Sequence, residues 1–314
     1  MGEGNKKKSL KNKLLTDFSI VGIIPLVLFA VVISILIRTS MFNSQVKLLK
    51  QVSSMAANNI DRWGDNNILM VEEIANSQVI ASGDLDNIRI QLKGKQEEDS
   101  SILNIMYTDL QGNIIKDSRG SLNENIKEQS YFQGVSKGYL YVSDVFLDSR
   151  QDSPLIAFSA PVRKNDILEG YIISIIKVKD IENNIGKILF SNEGNIFTFD
   201  SKGYITYHND LNKVANENVL NESGKLSEAS EKALEGIFSS TEYKYNDKKQ
   251  VAVYNFVSSL NWGIMTIVPE SEVFAAFYKI IAIALIIILL IIVCVVFLSI
   301  YISRGITKCI ISIK

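Results

Sequence analysis

The sequence predicts an α+β protein: a long N-terminal stalk helix plus two tandem antiparallel sheet modules, flanked by two transmembrane helices. Three observations lead to this prediction. Two charge-free apolar runs lie near the ends of the chain, and apolar residues recur at helical spacing after the first run. Paired strand-like segments around Asp-x-x-Gly turns then occur twice.

The two apolar runs cover residues 18–37 and 280–303, which are 20 and 24 residues long. At about 1.5 Å per residue, each helix is long enough to cross a hydrocarbon core of about 30 Å. A cleaved signal peptide is the alternative for the first run, but its apolar core is usually about 7 to 15 residues and ends at a small-x-small site. This run ends in Leu36-Ile37-Arg38, so an uncleaved anchor is expected.

Basic residues flank both runs on the sides that face the chain ends. Five lysines lie in the basic N-terminus at residues 1–17, and three basic residues follow the second run: Arg304, Lys308 and Lys314. The positive-inside rule therefore predicts a two-pass cell-membrane protein with both termini in the cytoplasm and residues 38–279 outside.

The composition of residues 38–279 excludes two classes of protein. This part has 25 Lys and Arg against 32 Asp and Glu, a net charge of −7, whereas a nucleic-acid-binding surface requires the opposite sign. It also lacks cysteine, because the two cysteines of the chain are Cys294 and Cys309. No disulfide can stabilise it, so its stability must come from a buried core.

Residues 40–77 contain no proline and one glycine, and their apolar side chains recur at steps of three and four. The periodic positions are Leu49, Val52, Ala56, Ile60, Trp63, Met70 and Ile74. We expect one helix of about 57 Å, continuous with the membrane anchor. This helix can be interpreted as an amphipathic core helix or as a stalk that transmits load along its axis. The two interpretations are compatible, since one face can pack on a domain while the other meets a partner subunit. Leu49, Val52, Ala56 and Trp63 are the residues expected at a homodimer interface along this stalk.

After residue 82 the pattern changes to period two with short turns. Asp109-Leu110-Gln111-Gly112 lies between strands predicted at 102–108 and 113–117, and Asp200-Ser201-Lys202-Gly203 lies between strands at 196–200 and 204–207. In both hairpins Asp opens the turn and Gly supplies the positive φ. Further strand pairs follow at 155–162 with 170–178 and at 250–257 with 262–268, and helix-rich segments are expected at 180–189 and 226–237. The repeated order predicts two copies of one small sheet domain.

This organisation closely resembles the double Cache (dCache) sensors of bacterial chemoreceptors and sensor kinases, which have two tandem PAS-like sheets. The most specific matches are Ser130-Tyr131-Phe132, the stretch 143–148, the strand 157–162, and residues 200–205 leading to His208. Residues 303–306 resemble the start of a HAMP relay helix, although Gly305 stands where that helix usually has proline. The resemblance implies a membrane-distal module at 80–179, a membrane-proximal module at 180–270, and a HAMP-like relay from 304 to 314.

The resemblance also implies a small-molecule pocket in the membrane-distal module, next to the segment 126–138. Amino-acid-binding members use an aromatic pair preceded by Arg, a Tyr and an Asp in the S-D-x-Y-x-D stretch, and an Asp at the end of a later strand. Here Gln129 stands at the Arg position and Phe146 at the Tyr position, and the last Asp is replaced by Ile175 or Lys177, depending on the alignment. The candidate ligand-binding residues are Tyr107, Gln129, Tyr131, Phe132, Tyr141, Asp144, Phe146, Asp148 and Lys177.

The missing Arg affects the expected ligand, because a buried α-carboxylate would lose its main charge partner. An amine or a polar heterocycle is expected instead, unless Lys177 points inward and meets a carboxylate. The alternative interpretation is structural: the aromatic pair Tyr131 and Phe132 belongs to the core, and Asp144 caps a turn.

Two further features could suggest catalysis or metal binding. Residues 134–138 match the G-x-S-x-G motif around Ser136, but a nucleophile elbow needs a strand-to-helix turn with a histidine in reach. His208 is the only histidine, and it belongs to the other sheet. One histidine without cysteines cannot complete a zinc site, so a structural hydrogen bond is expected. No cofactor, metal, nucleic acid or enzymatic activity is expected.

The predicted function is an extracytoplasmic sensor, most directly the sensory part of a methyl-accepting chemotaxis receptor. A sensor region of a histidine kinase or diguanylate cyclase is the alternative. Two hypotheses of other classes are a surface-anchored serine hydrolase using Ser136 and a scaffold that binds only proteins. The 11 residues after 303 are too few for an output domain, so cytoplasmic signalling partners are expected through a domain absent from this sequence.

Overall fold

The computed structural model of the protein describes residues 3–120, 124–148, 153–178, 181, 193–245 and 248–312. The chain divides into two compact units, one formed by residues 1–45 with 270–314 and the other by residues 46–269. The helices are α1 (Glu3–Ala75), α2 (Gln78–Ser82), α3 (Leu85–Glu98), α4 (Ser130–Val135), α5 (Lys225–Leu234), α6 (Glu270–Val273) and α7 (Ala275–Ser312). The helix-rich segment predicted at 180–189 lies outside the described residues, apart from Ile181.

The unit formed by the two chain ends contains the two apolar helical segments, and each is long and apolar enough to span a membrane. A Cβ on Gly22 would lie 2.9 Å from Val295 Cγ1, so this small residue allows α1 and α7 to approach closely. At the end of these segments, the Arg38 guanidinium lies 3.7 Å from the Glu270 carboxylate and 5.0 Å from the Phe274 ring centre.

The predicted stalk is the C-terminal half of α1, which runs without interruption from the apolar segment to Ala75. Its apolar face is covered by the chain's own sheets. The four residues expected at a dimer interface are buried within the chain, with exposed fractions of 3% for Leu49, 6% for Val52, 0% for Ala56 and 7% for Trp63. That stripe cannot also meet a second subunit, because an amphipathic helix has one apolar face and the sheets occupy it.

The distal sheet has five antiparallel strands in the order β2-β1-β5-β4-β3. Its strands are β1 (Ile102–Thr108), β2 (Ile114–Asp117), β3 (Tyr141–Val142), β4 (Leu155–Lys164) and β5 (Ile167–Lys177). Alternate residues face opposite sides: Ile105 and Tyr107 face the stalk, while Met106 faces α4. The distal sheet is therefore packed on both faces.

The proximal sheet repeats the same order with the next five strands, β7-β6-β10-β9-β8. Its strands are β6 (Asn195–Phe199), β7 (Ile205–Tyr207), β8 (Ser239–Tyr245), β9 (Lys248–Val257) and β10 (Trp262–Pro269). A short 3₁₀ turn at Leu211–Lys213 follows β7. The predicted fold class and the duplication are confirmed.

Both predicted hairpin turns form as expected from their Asp-x-x-Gly sequences. Gly112 and Gly203 have φ values of +83° and +89°, which side chains with a Cβ rarely adopt. The Oδ1 atoms of Asp109 and Asp200 each accept two backbone N–H groups of their own turn, at 2.8 to 2.9 Å. Against the opposing effect of burial, the hydrogen bond from the Asn113 side chain and these backbone bonds lower the pKa of Asp109, whereas burial raises the pKa of Asp200.

One hydrophobic core joins the stalk to both sheets. Phe158 of β4 lies edge-on against Trp63 of the stalk, with ring centres 5.5 Å apart, and Trp262 of β10 belongs to the same buried cluster. On its other face the proximal sheet packs against α5.

Candidate ligand-binding site

A cavity of about 570 Å³ lies in the distal module, on the face of the sheet opposite the stalk. Three parts of the chain form it: strands β1, β4 and β5, the segment from β2 to the start of α4, and the segment before β4. Its lining residues are Leu103, Asn104, Met106, Ile114, Arg119, Glu124, Asn125, Ile126, Gln129, Tyr131, Phe146, Leu147, Asp148, Leu155 and Ile175. Its volume is in the range of small-molecule sites.

Four of the predicted ligand-binding residues line this cavity: Gln129, Tyr131, Phe146 and Asp148. The Tyr131 and Phe146 ring centres are 5.4 Å apart, which makes one aromatic wall. Phe146 is fixed by two backbone hydrogen bonds to Leu155, of 2.8 and 2.9 Å. The position of this aromatic wall is therefore set by backbone pairing with β4.

Three other predicted residues contact the core instead of the cavity. Tyr107 is on the stalk face of β1, because its neighbour Met106 takes the cavity face. Phe132 is buried edge-on against Tyr171, with ring centres 5.5 Å apart. The Tyr141 ring covers Gly134 of α4, where a Cβ would approach it closely.

The last two predicted residues also lie outside the cavity lining. Asp144 accepts a hydrogen bond of 2.6 Å from Lys202 Nζ, which belongs to the turn between β6 and β7. This contact raises the pKa of Lys202 and links the two modules. Lys177 is two residues beyond Ile175 at the end of β5, and of the two alternatives only Ile175 lines the cavity.

Two charged residues of the cavity lining, Arg119 and Glu124, were not predicted from the sequence, and Arg119, which follows β2, is the cationic one. Its neighbours fix its position: Asp117 Oδ1 accepts the Gly120 N–H at 2.7 Å, and Ser118 Oγ accepts the Ile105 N–H at 3.0 Å. The only signal in the sequence is the glycine at 120, whose φ of +79° turns the chain there.

The cavity combines charges of both signs. Arg119 supplies a cation, and Glu124 and Asp148 supply carboxylates, while Asn104 and Gln129 add amide groups. Arg binds carboxylates with a planar fork of donors, and carboxylates accept from ammonium groups. The arrangement can therefore hold a molecule with both an anionic and a cationic end.

The G-x-S-x-G motif does not form a nucleophile elbow. Ser136 follows the last residue of helix α4, and its Oγ donates to the Gln133 carbonyl at 2.9 Å. His208 lies beyond β7 in the proximal module. In the described part of the chain, no group of three or more His, Cys, Asp and Glu side chains is arranged to bind a metal ion.

His208 makes structural hydrogen bonds in the proximal module. Its Nδ1 accepts the Asp210 N–H at 2.8 Å, and its Nε2 lies 2.9 Å from the Asn195 amide. Burial, with a smaller contribution from Lys213, lowers the pKa of His208 below its ordinary 6.5.

Acidification should therefore destabilise the proximal module through His208. Its contribution to stability is complete above pH 6.5 and is lost as the pH falls through the lower folded-state pKa. The thermal midpoint should fall by a few degrees between about pH 7.5 and pH 5, and His208→Gln should flatten this dependence. Asp109 does not interfere, because its window lies below 3.8. The raised pKa of Asp200 acts in the opposite direction on acidification, so the difference between the parent and His208→Gln isolates the histidine contribution. A midpoint above 6.5 for the single histidine by NMR would contradict this expectation.

The fold and the sequence match known sensor domains. The family model dCache_1, described as Cache domain, matches residues 38–277. The ligand-binding domain of the Pseudomonas fluorescens chemoreceptor CtaA in complex with L-isoleucine has a TM-score of 0.61 at 16% identity, covering 76% of this chain and 98% of that one. The Pseudomonas aeruginosa chemoreceptor PctB, solved with L-Arg, has 0.59 at 16%, covering 73% and 97%.

A histidine kinase is equally similar. The extracellular domain of the putative histidine kinase mmHK1S-Z2 has a TM-score of 0.58 at 14% identity, with 74% of this chain and 98% of that chain covered. At these identities the shared property is the fold. No curated protein matches the sequence. The match over residues 38–277 shows that this chain belongs to the double Cache family of sensor domains.

Proposed function

We propose that this protein is a membrane receptor that binds a small zwitterion in the distal cavity, as the sensory part of a methyl-accepting chemotaxis receptor. The observation that carries the proposal is the presence of Arg119 and Asp148 in one cavity of a double Cache domain. The sensor region of a histidine kinase is the second candidate, favoured by the likeness to mmHK1S-Z2.

An amino acid or a similar zwitterion fits the charges of the cavity. Arg119 would receive the carboxylate, and Asp148 with Glu124 would receive the ammonium group, while Tyr131 and Phe146 would pack against the side chain. This revises the amine expected from Gln129 alone, because the arginine comes from a different element. Ligands of related receptors include L-isoleucine and L-Arg.

The signal would pass to the cytoplasm through the two apolar helices, with both termini inside. Helix displacements of about 1 to 2 Å are in the usual range of such switches. The stalk is suited to this role because α1 is one continuous helix whose buried face belongs to the core of the distal sheet. A ligand shifts the equilibrium only if it favours one packing of stalk and sheet.

A homodimer would use the stalk face that the sheets leave exposed. Leu48, Met55 and Leu69 are 44%, 58% and 60% exposed and lie seven and fourteen residues apart on one heptad stripe, with Arg62 at the position between Met55 and Leu69. With Cys294 and Cys309 replaced by Ser, Met55→Cys should form a disulfide-linked dimer in membranes, while Val52→Cys, which is buried, should not. Cross-linking of Val52→Cys but not Met55→Cys would contradict this arrangement.

The ligand proposal is tested by binding to the full chain in lipid nanodiscs. We expect at least one L-amino acid from a complete panel to raise the thermal midpoint, and its matched amine and carboxylate, each lacking one charged group, to do so less. Arg119→Gln should weaken this binding at least tenfold, or about 1.4 kcal/mol, since it removes the carboxylate partner.

Asp144→Asn is the matched control, because Asp144 is paired with Lys202 outside the cavity. It should leave the affinity unchanged. An unaltered affinity in Arg119→Gln, or a panel without a stabilising amino acid, would rule the proposal out. Fusing the chain to a chemoreceptor signalling domain or to a kinase domain, and asking which responds to the ligand, distinguishes the two output classes.

A further inference from the structure

A second cavity lies in the proximal module, at the position that corresponds to the distal cavity. It has a volume of about 180 Å³. Residues of β6, β9 and β10 line it, as do the segment after β7 and helix α5, and these strands are the counterparts of β1, β4 and β5. Its lining residues include Phe197 and Ile267 from the sheet and Leu226 from α5. The duplication has thus preserved a cavity on the same face of both sheets.

An unsatisfied polar group lies in the wall of this proximal cavity. His208 Nδ1 accepts the Asp210 N–H, so the proton of the neutral ring is on Nε2. Nε2 therefore donates to Asn195, and the amide oxygen is the atom that must face it. The other amide position of Asn195 is buried and has no hydrogen-bond partner among the described residues. With the amide turned so that its oxygen accepts from Nε2, that position holds the NH₂ group, a donor left for a water or a ligand acceptor.

Carboxylates outnumber cations around the proximal cavity. Of the described residues that line it, Glu193, Glu217 and Glu222 are carboxylates and Lys213 is the one lysine. Lys213 Nζ is already engaged by the Glu217 carboxylate at 3.1 Å and by the Tyr245 hydroxyl at 3.4 Å. His208 stays neutral at pH 7 because burial lowers its pKa. The described part of the lining therefore carries a net negative charge.

Aromatic rings complete the proximal cavity. Tyr243 and Tyr245 of β8 and Phe197 of β6 contribute to the lining. Burial raises the pKa of Tyr243, so its phenol is neutral at physiological pH. The faces of such rings attract organic cations, and their bodies pack against apolar groups.

We propose that the proximal cavity is a second ligand site, which takes a small organic cation with an ammonium head and an apolar body. Glu193 and Glu222 receive the ammonium group and the rings of Phe197 and Tyr243 pack against the body, while the NH₂ group of Asn195 donates to a water beside the ligand. A cavity of about 150 Å³ holds benzene, so this one accommodates a ligand of about six to ten non-hydrogen atoms. The site goes beyond the distal receptor function and does not depend on it.

The test uses the full chain in nanodiscs and the probe 2-phenylethylammonium, with phenylacetate as the anion of similar size and shape. Calorimetric titration should detect binding of the amine and weaker or no binding of the carboxylate. The double variant Glu193→Gln and Glu222→Gln should weaken the amine at least tenfold. Glu228→Gln, on the exposed side of α5 and outside the cavity lining, is the matched control and should bind as the parent does.

Asp148→Asn tests whether the amine binds in the distal cavity instead. Because Asp148 lies outside the proximal cavity, this variant should bind the amine as the parent does. The proposal is overturned if the amine does not bind, if the carboxylate binds more tightly, or if Asp148→Asn abolishes binding that the Glu193 and Glu222 variant retains. The thermal midpoint of each unliganded variant, measured beside the parent, distinguishes lost binding from lost folding.

Discussion

Truncating Phe158 to alanine should lower the free energy of unfolding of the sheet-containing unit by about 3–5 kcal/mol. Phe158 is fully buried, and its ring meets Trp63 edge-on at 5.5 Å between the stalk and the distal sheet. Removing the ring leaves a cavity in the core that joins α1 to both sheets. Denaturant unfolding in detergent, followed by tryptophan fluorescence, measures the loss. Both tryptophans, Trp63 and Trp262, lie in that core.

The matched control for this prediction is Tyr139→Ala, an aromatic residue of the same module that is 75% exposed. It should change stability by less than about 0.5 kcal/mol, as surface substitutions usually do. A cost below about 1 kcal/mol for Phe158→Ala would show that the stalk does not rely on this contact.

Gly170→Ala should destabilise the distal sheet by about 3 kcal/mol, at the upper end for an added methyl group. A Cβ at this position would lie 2.1 Å from the Thr108 carbonyl oxygen, which is backbone of the neighbouring strand β1. Neither strand can move aside without breaking the pairing of Thr108 with Tyr171. Equilibrium unfolding measures the cost, and amide hydrogen exchange should locate the loss of protection at β1 and β5.

Gly94→Ala should have the opposite effect on stability. Gly94 lies inside α3, and a Cβ there would meet nothing within 4 Å. Because alanine restricts the unfolded chain and favours helix, this change should stabilise by about 0.5–1 kcal/mol. A neutral or stabilising effect of Gly170→Ala would show that the close approach to Thr108 carries no cost.

The sheets could be predicted from the sequence because their information is local. Period two marks the buried strands, and an Asp three residues before a Gly marks each hairpin turn. The stalk could be predicted for the same reason, but not the partner of its apolar face. Periodicity shows that Val52 and Trp63 share a face, and it does not say whether that face meets another subunit or the chain's own sheets.

The site was harder to predict because it depends on register and on distant segments. Tyr107 and Met106 are adjacent, and only the pairing of β1 decides which of them faces the cavity. Arg119 reaches the cavity because Ser118 Oγ donates to Asn104 Oδ1 at 2.9 Å, a contact across fourteen residues. The family motif has its arginine next to the aromatic pair, at the position of Gln129. It therefore gives no indication of Arg119, which is supplied by another part of the chain.

The five residues 144–148 contact both the distal cavity and the proximal module. At one end Asp148 lines the distal cavity, and at the other Asp144 holds Lys202 in the turn of the proximal sheet. Between them, the backbone of Phe146 is hydrogen-bonded to Leu155 of β4, which holds the middle of the segment in place. The Lys202–Asp144 pair is more than half exposed on both sides, and mobile ions weaken such pairs. We therefore expect the coupling between the two modules to be stronger at low ionic strength than at high ionic strength. The salt concentration outside the cell would then affect the protein directly, through this ion pair.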